Sequence, residues 1–301
     1  MWFSAEARAG AKILLFPQRL KSRPVRDLCG LGASLGRTGS LEVRLATTKR
    51  EIRKAQRLRY KVFYEEGQAQ ADATAALMRR DICPFDRHCD HLIVIDHAAR
   101  SRLGRIKPKI IGTYRLLRQD VALAQLGFYS AREFDIAPLL ARHPDKNFLE
   151  LGRSCVLAPW RSRRTLDLLW RGLWAYVQHH HIDVMIGCAS FPGANPLAHA
   201  ASFGFLATHA KAEADWQVRP QAGRGAPVQA FDPALGKVRA GLAALPPLIK
   251  GYLRVGARFG DGMVVDHQFG TTDVFVVMPV ADIAARYTAH FGADAGERAA
   301  A

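Results

Sequence analysis

Glu150-Leu151-Gly152-Arg153-Ser154-Cys155-Val156-Leu157, with Ala158-Pro159-Trp160-Arg161-Ser162-Arg163-Arg164 behind it, is the stretch around which the chain is best arranged. Phe148 to Leu157 reads as a strand: apolar residues recur through it, and Ala158-Pro159 ends it because proline cannot donate to the ladder. Glu150 and Arg153 stand three apart, which on a regular strand puts them on opposite faces. Gly152 between them is a place for a bulge that would bring both to one side. Arg161, Arg163 and Arg164 fill the turn, and a helix capped by Ser162 or Thr165 follows. Strand, cationic turn and helix N-terminus together make an anion cradle. The carboxylate is then suited to an amine and the turn to a phosphate. The plainer alternative is a structural Glu–Arg pair followed by a solvated loop.

Outward from there, 301 residues leave room for one large domain or two small ones, and an apolar fraction of 49% argues against disorder. The formal charge of +16 calls for an acidic partner: nucleic acid, an anionic membrane, an acidic carrier protein or a phosphorylated substrate. Nucleic acid is set aside, because no helix-turn-helix, RRM or zinc pattern is present and the aromatics lie in apolar stripes. Five scattered cysteines without a CxxC pair point to free thiols in a reducing compartment. No apolar run approaches the roughly 18 residues of a membrane span. Ala11–Phe16 is too short for a secretory core, and the basic run Arg19–Arg23 follows it without a cleavage site. Residues 1–40 carry seven Lys/Arg against two acids, with Trp2, Phe3 and Ile13–Phe16 among them: a basic arm, flexible or lying on a membrane surface.

The remaining elements fall on either side of the central strand. Leu41–Ala46 alternates as a half-buried strand. Thr47 or Thr48 caps a helix with Glu51 in its first turn and Ile52, Ala55, Leu58, Val62 and Phe63 along one stripe. Arg59 and Phe63, four apart, share a face. Residues 67–90 read as irregular, with Asp81, Asp86 and Asp90 near cysteines and histidines in spacings that match no zinc pattern. No metal is expected, and carboxylates receiving a cationic substrate are preferred there. His91–Asp96 and Ile110–Leu117 form an antiparallel hairpin, and Arg115 in its second strand requires an anionic partner or ligand. A helix follows over 165–179 with Leu166, Leu169, Trp170, Leu173 and Val177 inward, then a buried strand over 184–190. A short helix over 197–203 stops at Gly204. Residues 207–235 read as irregular. The expected division is a basic arm at 1–40, a core at 41–235, an extension at 236–292 packed on the core, and a disordered tail at 293–301.

This order of strands and helices resembles the GNAT acyltransferase fold, an α/β (α+β) arrangement with a mixed central sheet flanked by helices, here with a C-terminal extension. Arg59-x-x-Val62-Phe63, Phe85-Asp86, Gly112-x-x-Arg115-Leu116-Leu117 and Glu150-x-x-Arg153 together resemble the acyl-homoserine-lactone synthases. The chain is more similar to the L-ornithine N-alpha-acyltransferases of bacterial ornithine lipid synthesis. That similarity runs through Glu150–Val156, Trp160–Arg164, Leu169–Leu173, Pro246-Pro-Leu-x-Lys-Gly-Tyr-Leu253 and Asp266-x-Gln-Phe-x-Thr-Thr-Asp-Val274. Two departures stand out. The turn lacks the glycines of ordinary acetyltransferases, which suits a carrier-protein donor better than coenzyme A. Cys83 stands where the lactone synthases have an acidic residue.

The resemblance implies transfer of a 3-hydroxyacyl group from acyl carrier protein to the α-amine of L-ornithine, with no permanently bound cofactor beyond the carrier's phosphopantetheine arm. Glu150 is the expected base, Glu133 the reserve, and Arg153 completes the catalytic set. Arg59 and Arg115, with Phe63, would hold the ornithine carboxylate or order the pocket, and Asp86 and Asp90 would receive its cationic side chain. Val156, Leu157, Arg161, Arg163 and Arg164 would hold the phosphopantetheine, with backbone N–H groups near 156–158 as the oxyanion site. Cys155 is the one credible nucleophile but reads better as a core residue, so direct transfer is expected. The setting implied is cytoplasmic, peripheral to an anionic inner membrane. The alternative is a carrier-dependent N-acyltransferase acting on another amino acid or making a lactone.

Overall fold

The computed structural model describes residues 28, 30–101, 103–226 and 238–283. Expectations for residues 1–27 and for the tail at 293–301 lie outside them. In chain order the elements are β1 (Gly36–Thr38), β2 (Leu41–Leu45), α1 (Lys49–Tyr60), α2 (Ala73–Met78), β3 (Asp90–Asp96), β4 (Lys109–Arg118), α3 (Gln119–Ala124), β5 (Phe134–Asp135), α4 (Ala137–Arg142), β6 (Phe148–Val156), α5 (Arg163–His179), β7 (Val184–Pro192), α6 (Ala200–His209), β8 (Arg219–Pro220), α7 (Val238–Ala244), α8 (Pro247–Val255), β9 (Arg258–Phe259), β10 (Val264–Asp266) and β11 (Thr271–Pro279). One mixed sheet runs β1-β2-β3-β4-β6-β7-β11-β10, with β9 also on β11. β5 and β8 make a separate small pair.

The sheet parts in its middle. β6 and β7 are parallel neighbours, but they pair only at Phe148↔Val184, Leu149↔Met185 and Glu150↔Ile186. Beyond Glu150 a bulge intervenes at Arg153–Ser154, just past the Gly152 where it was expected. Thr113 pairs with Cys155 and Arg115 with Gly152, so Tyr114 of β4 faces both Arg153 and Ser154. Arg153 takes φ of +54°, a left-handed conformation rare for a bulky residue and often kept at functional sites. β7 turns instead to β11 and pairs with it from Val184↔Pro279 to Pro192↔Thr271. At the parting point the backbones nearly touch: a Cβ on Gly187 would lie 2.4 Å from the Leu151 carbonyl oxygen. α5 lies close on β2, where a Cβ on Gly172 would meet Val43 at 2.6 Å.

Several sequence expectations hold locally. Thr48 caps α1, its hydroxyl accepting from Glu51 N–H at 3.2 Å, and Glu51 accepts in return from Thr47 N–H at 3.0 Å. Ser162 caps α5, accepting from Thr165 N–H at 3.3 Å. Others are corrected by packing. The 67–90 segment contains α2, capped by Asp72, because its alanines are good helix formers. α6 runs through Gly204 to His209, since burial of Phe203 and Leu206 outweighs glycine's cost of about 1 kcal/mol. On α5 the inward face uses Leu168 and Tyr176, while Leu166 is exposed. Residues before 41 are not all an arm: Leu31 and Leu35 are buried, and β1 pairs with β2. The C-terminal part does more than pack on the core, because β11 is a full partner of β7 within the main sheet. α1 also continues into a π-helical turn, Lys61–Glu65, which carries Phe63.

Candidate active site

The parting of β6 and β7 opens a cavity of about 510 Å3. Phe63 of the π-turn, Arg115 of β4, Glu150, Arg153 and Ser154 of β6, and Cys188 and Ser190 of β7 line it. The C-terminal part supplies more of the wall, including Tyr252 of α8, Asp266 of β10, Phe269 of the β10–β11 turn and Asp273 of β11. Tyr252 is tied to the core by a buried hydrogen bond between its hydroxyl and that of Tyr114.

Arg153 is the cation best placed for a ligand. Its guanidinium lies 4.2 Å from the Phe269 ring centre and 4.8 Å from that of Tyr129, and it donates to the Tyr129 hydroxyl at 3.2 Å. Its Nε stands 3.3 Å from Asp81 Oδ2, near enough for charge attraction though misaligned for a hydrogen bond. Arg115 also lines the cavity, 3.5 Å from Asp86 and 5.1 Å from the Tyr129 ring. Arg59 does not reach it. Fully buried behind the wall, it donates to Asp81 Oδ2 at 2.7 Å, to the Asp81 carbonyl at 2.6 Å and to Asp86 Oδ2 at 2.7 Å.

The acidic expectations shift accordingly. Asp86 accepts from Arg59 and, at 2.8 Å, from Gln56. Burial alone would raise its pKa, but Arg59, with Arg115 in support, holds it well below the carboxylate range. Asp90 accepts from the Tyr176 hydroxyl at 2.7 Å and lies 3.5 Å from Arg118. Neither lines the cavity, so neither meets a substrate side chain there; their charge is spent on holding the arginines and α5 in place. Asp81, noted in sequence only as one of a loop cluster, is the second anchor of Arg59.

Glu150 does line the cavity, with its carboxylate accepting from the N–H groups of Tyr129 and Ser130, each at 2.7 Å, and from the Ser130 hydroxyl. Burial pushes its pKa up, and those donors pull against it. Glu133 joins Asp266 and Asp273 in a cluster whose ligand-capable oxygens lie within 4.8 Å of one another. Burial first, then the charges of Asp273 and Asp266, raise Glu133 to about 7. Burial likewise brings Asp273 to about 6, opposed by bonds from Thr271 and Ser190 and aided by Asp266. Asp266 and Asp273 were not among the sequence-based site residues. The available signal was Asp273 itself, a carboxylate heading the aliphatic run Val274–Met278.

At the donor end the arginine trio divides. Arg161 lines the cavity, donating to the Val156 carbonyl at 3.0 Å and to Glu66 at 2.6 Å. Arg163 is exposed, 3.6 Å from Asp167, and Arg164 donates to the Thr38 carbonyl. Leu157 N–H is taken by the Ile111 carbonyl at 2.9 Å and Val156 pairs with Gly112, so Leu157 offers no free N–H to an oxyanion. Burial drives the Cys155 thiol pKa far up, which disfavours the thiolate a nucleophile needs.

Residues 58–171 match the family model described as an acetyltransferase (GNAT) domain. The L-ornithine N(alpha)-acyltransferase of Agrobacterium fabrum is 51% identical over 280 residues, covering 91% of this chain and 92% of that protein. Its counterpart in Rhodobacter capsulatus is 38% identical over 240 residues, covering 79% of this chain and 90% of that protein. Among solved structures, FeeM, an N-acyl amino acid synthase from uncultured soil microbes, aligns with TM-score 0.46 and 11% identity over 80% of this chain and 92% of its own. The acyl-homoserine-lactone synthase LasI aligns with TM-score 0.43 and 11% identity over 84% and 95%. By identity over nearly the whole of both sequences, this chain belongs to the L-ornithine N(alpha)-acyltransferase family.

Proposed function

We propose that the protein transfers a 3-hydroxyacyl group from acyl carrier protein to the α-amine of L-ornithine, giving the lyso-lipid precursor of an ornithine lipid. The observation that carries this is the cavity itself. Where β6 and β7 part, one chamber presents guanidinium groups from Arg115 and Arg153 and carboxylates from Glu150, Asp266 and Asp273, the complement of an amino acid bearing both charges.

The α-amine must be neutral to attack. In this mechanism Glu150 takes its proton, directly or through water, the raised pKa making it a better acceptor than an exposed carboxylate. Its oxygens retain lone pairs beyond the three bonds they accept. The nitrogen bonds to the thioester carbonyl carbon, the C–S bond breaks, and the carrier's thiolate leaves and takes up a proton. Arg153, held between two rings, binds the acceptor carboxylate with its planar fork. The pantetheine arm enters along the splayed edges of β6 and β7, and Arg161 with the N-terminus of α5 receives its phosphate. Among the described residues no helix is long and apolar enough to cross a membrane. An amphiphilic product favours a peripheral station on an anionic membrane face.

The test is a mass-spectrometric assay of the purified chain with 3-hydroxyacyl carrier protein, the matching coenzyme A thioester, a panel of amino acids and Glu150→Gln. Acyl-ornithine from the carrier-bound donor, with kcat reduced at least about 100-fold in the variant, is expected. Product on another amine replaces the acceptor; preference for coenzyme A replaces the donor; full activity in Glu150→Gln removes the base.

A further inference from the structure

The acidic end of the cavity has no role in the transfer step described above. Asp266 closes β10, and Asp273 lies on β11 opposite Ser190 of β7. Glu133 follows the turn that carries Tyr129 and Ser130, whose amides hold Glu150. Asp266 Oδ1 accepts from Phe269 N–H at 3.0 Å, and Asp273 accepts from the Thr271 hydroxyl at 2.8 Å and from Ser190. Glu133 is 4% exposed, and its Oε2 is buried without a hydrogen-bond partner.

Three carboxylates held this close and largely out of water repel one another, and a fold gains nothing from them without a cation. Arg153 and Arg224 act on them through space, on Asp273 and Glu133 respectively. Two cations could sit among them directly. A calcium ion takes about six to eight oxygen ligands, more than three side chains with partly committed oxygens offer. An ammonium has only three N–H donors, a number that the two cavity-lining aspartates with Glu133 behind them can meet. Asp266 and Asp273 open into the chamber that Arg153 and Glu150 line, so a cation there can belong to a molecule whose other end reaches those residues.

We infer that Asp266 and Asp273, with the buried Glu133 carboxylate behind them, form the subsite for the side-chain ammonium of the acceptor, and so select a diamino acid over an uncharged amino acid of the same length. This rests on taking the cavity as the acceptor site of an N-acyltransferase. Glu133 then adds negative charge behind the subsite rather than serving as the base, and Arg153 and the two aspartates grip the two ends of the acceptor with its α-amine between them.

The experiment compares L-ornithine with L-norvaline, which keeps the three-carbon side chain and lacks its nitrogen, in wild type, Asp273→Asn and Asp266→Asn with the carrier-bound donor. Expected are a rise of at least about tenfold in KM for ornithine with kcat little changed, and an unchanged or improved kcat/KM for norvaline. Equal losses on both amino acids, or no loss on ornithine, overturn the assignment. Thermal melts identify a variant that does not fold, and Asp266, half-buried at a strand end, provides the milder of the two changes. Equilibrium binding of L-ornithine, L-norvaline and Mn2+ without donor separates the subsite from the transfer reaction. Ornithine bound by wild type and lost in Asp273→Asn, with no acyl transfer to any amine, keeps the subsite and removes the reaction. Ornithine and norvaline bound equally, neither bound nor acylated, or Mn2+ required for ornithine binding, overturns the subsite.

Discussion

At the scale of single residues, the site works by setting charged groups against one another. Arg59 was expected to hold the ligand carboxylate or order the pocket; its two aspartates fit it to the second role, as the buried strut behind Arg115 and Arg153. Removing one partner of a buried pair leaves a charge without its counterion. Arg59→Ala should therefore cost about 3–5 kcal/mol in urea unfolding. Unchanged stability with a raised acceptor KM would return Arg59 to the ligand. The acidic cluster carries the opposite sign. Glu133 moves from 4.5 to about 7 on folding and Asp273 from 3.8 to about 6, so the native state binds protons more tightly than the unfolded state. The stability this lends is present below the unfolded values and is lost as pH rises through the folded ones. Glu133 faces Asp266, Asp273, Cys188 and Arg224, so replacing it with glutamine removes the repulsion. Between pH 5 and about 7.5 the ligand-free wild type should lose Tm that Glu133→Gln retains, at about 2–4 °C for each kcal/mol relieved. Parallel Tm profiles would show that the cluster does not titrate in this window. A site costly to its own fold is what a cation-binding role requires.

At the scale of elements, the cavity exists because two neighbouring strands stop pairing. The bulge at Arg153–Ser154 turns β6 aside, β11 draws β7 the other way, and Gly187 marks where they last touch. Gly187→Ala would drive a methyl into the Leu151 carbonyl, with backbone on one side and a fully paired strand on the other. A loss of about 1–3 kcal/mol is expected, with a raised KM for the thioester as the splay shifts. Thermal unfolding and steady-state kinetics check both; wild-type values in each would mean that the strands yield without cost. Local signals for these elements were legible. The Thr48 and Ser162 caps, the proline after β6 and the glycine of the bulge act within a few residues of themselves, so sequence spacing carries them. Gly204 misled because burial of Phe203 and Leu206 was decided by distant partners.

At the scale of the whole molecule, a formal charge of +16 suits the acidic carrier proposed as donor. Arg163, largely exposed at the start of α5 and two residues past the cavity-lining Arg161, is one described contributor. If the carrier is steered electrostatically, kcat/KM for carrier-bound donor should fall several-fold or more between about 0.05 and 0.5 M salt, with kcat changing little. A flat salt profile would mean that docking is governed by contact surface instead.

The sequence by itself determined the main elements β2, α1, β3, β4, β6, α5, β7 and β11, the acyltransferase resemblance, and Gly152 as a place where a bulge would bring Glu150 and Arg153 to one side, because these follow from local periodicity, caps and ordered motifs. Only the tertiary structure decided which charged residues meet a ligand. Arg59, Asp86 and Asp90 were separated from the cavity, the Leu157 N–H was taken by the Ile111 carbonyl, and Asp266 and Asp273 were brought in from the far end of the chain. β11 joins the main sheet by pairing with β7 from residues 79 or more positions earlier, as in Thr271↔Pro192, and no local pattern encodes a partner at that separation.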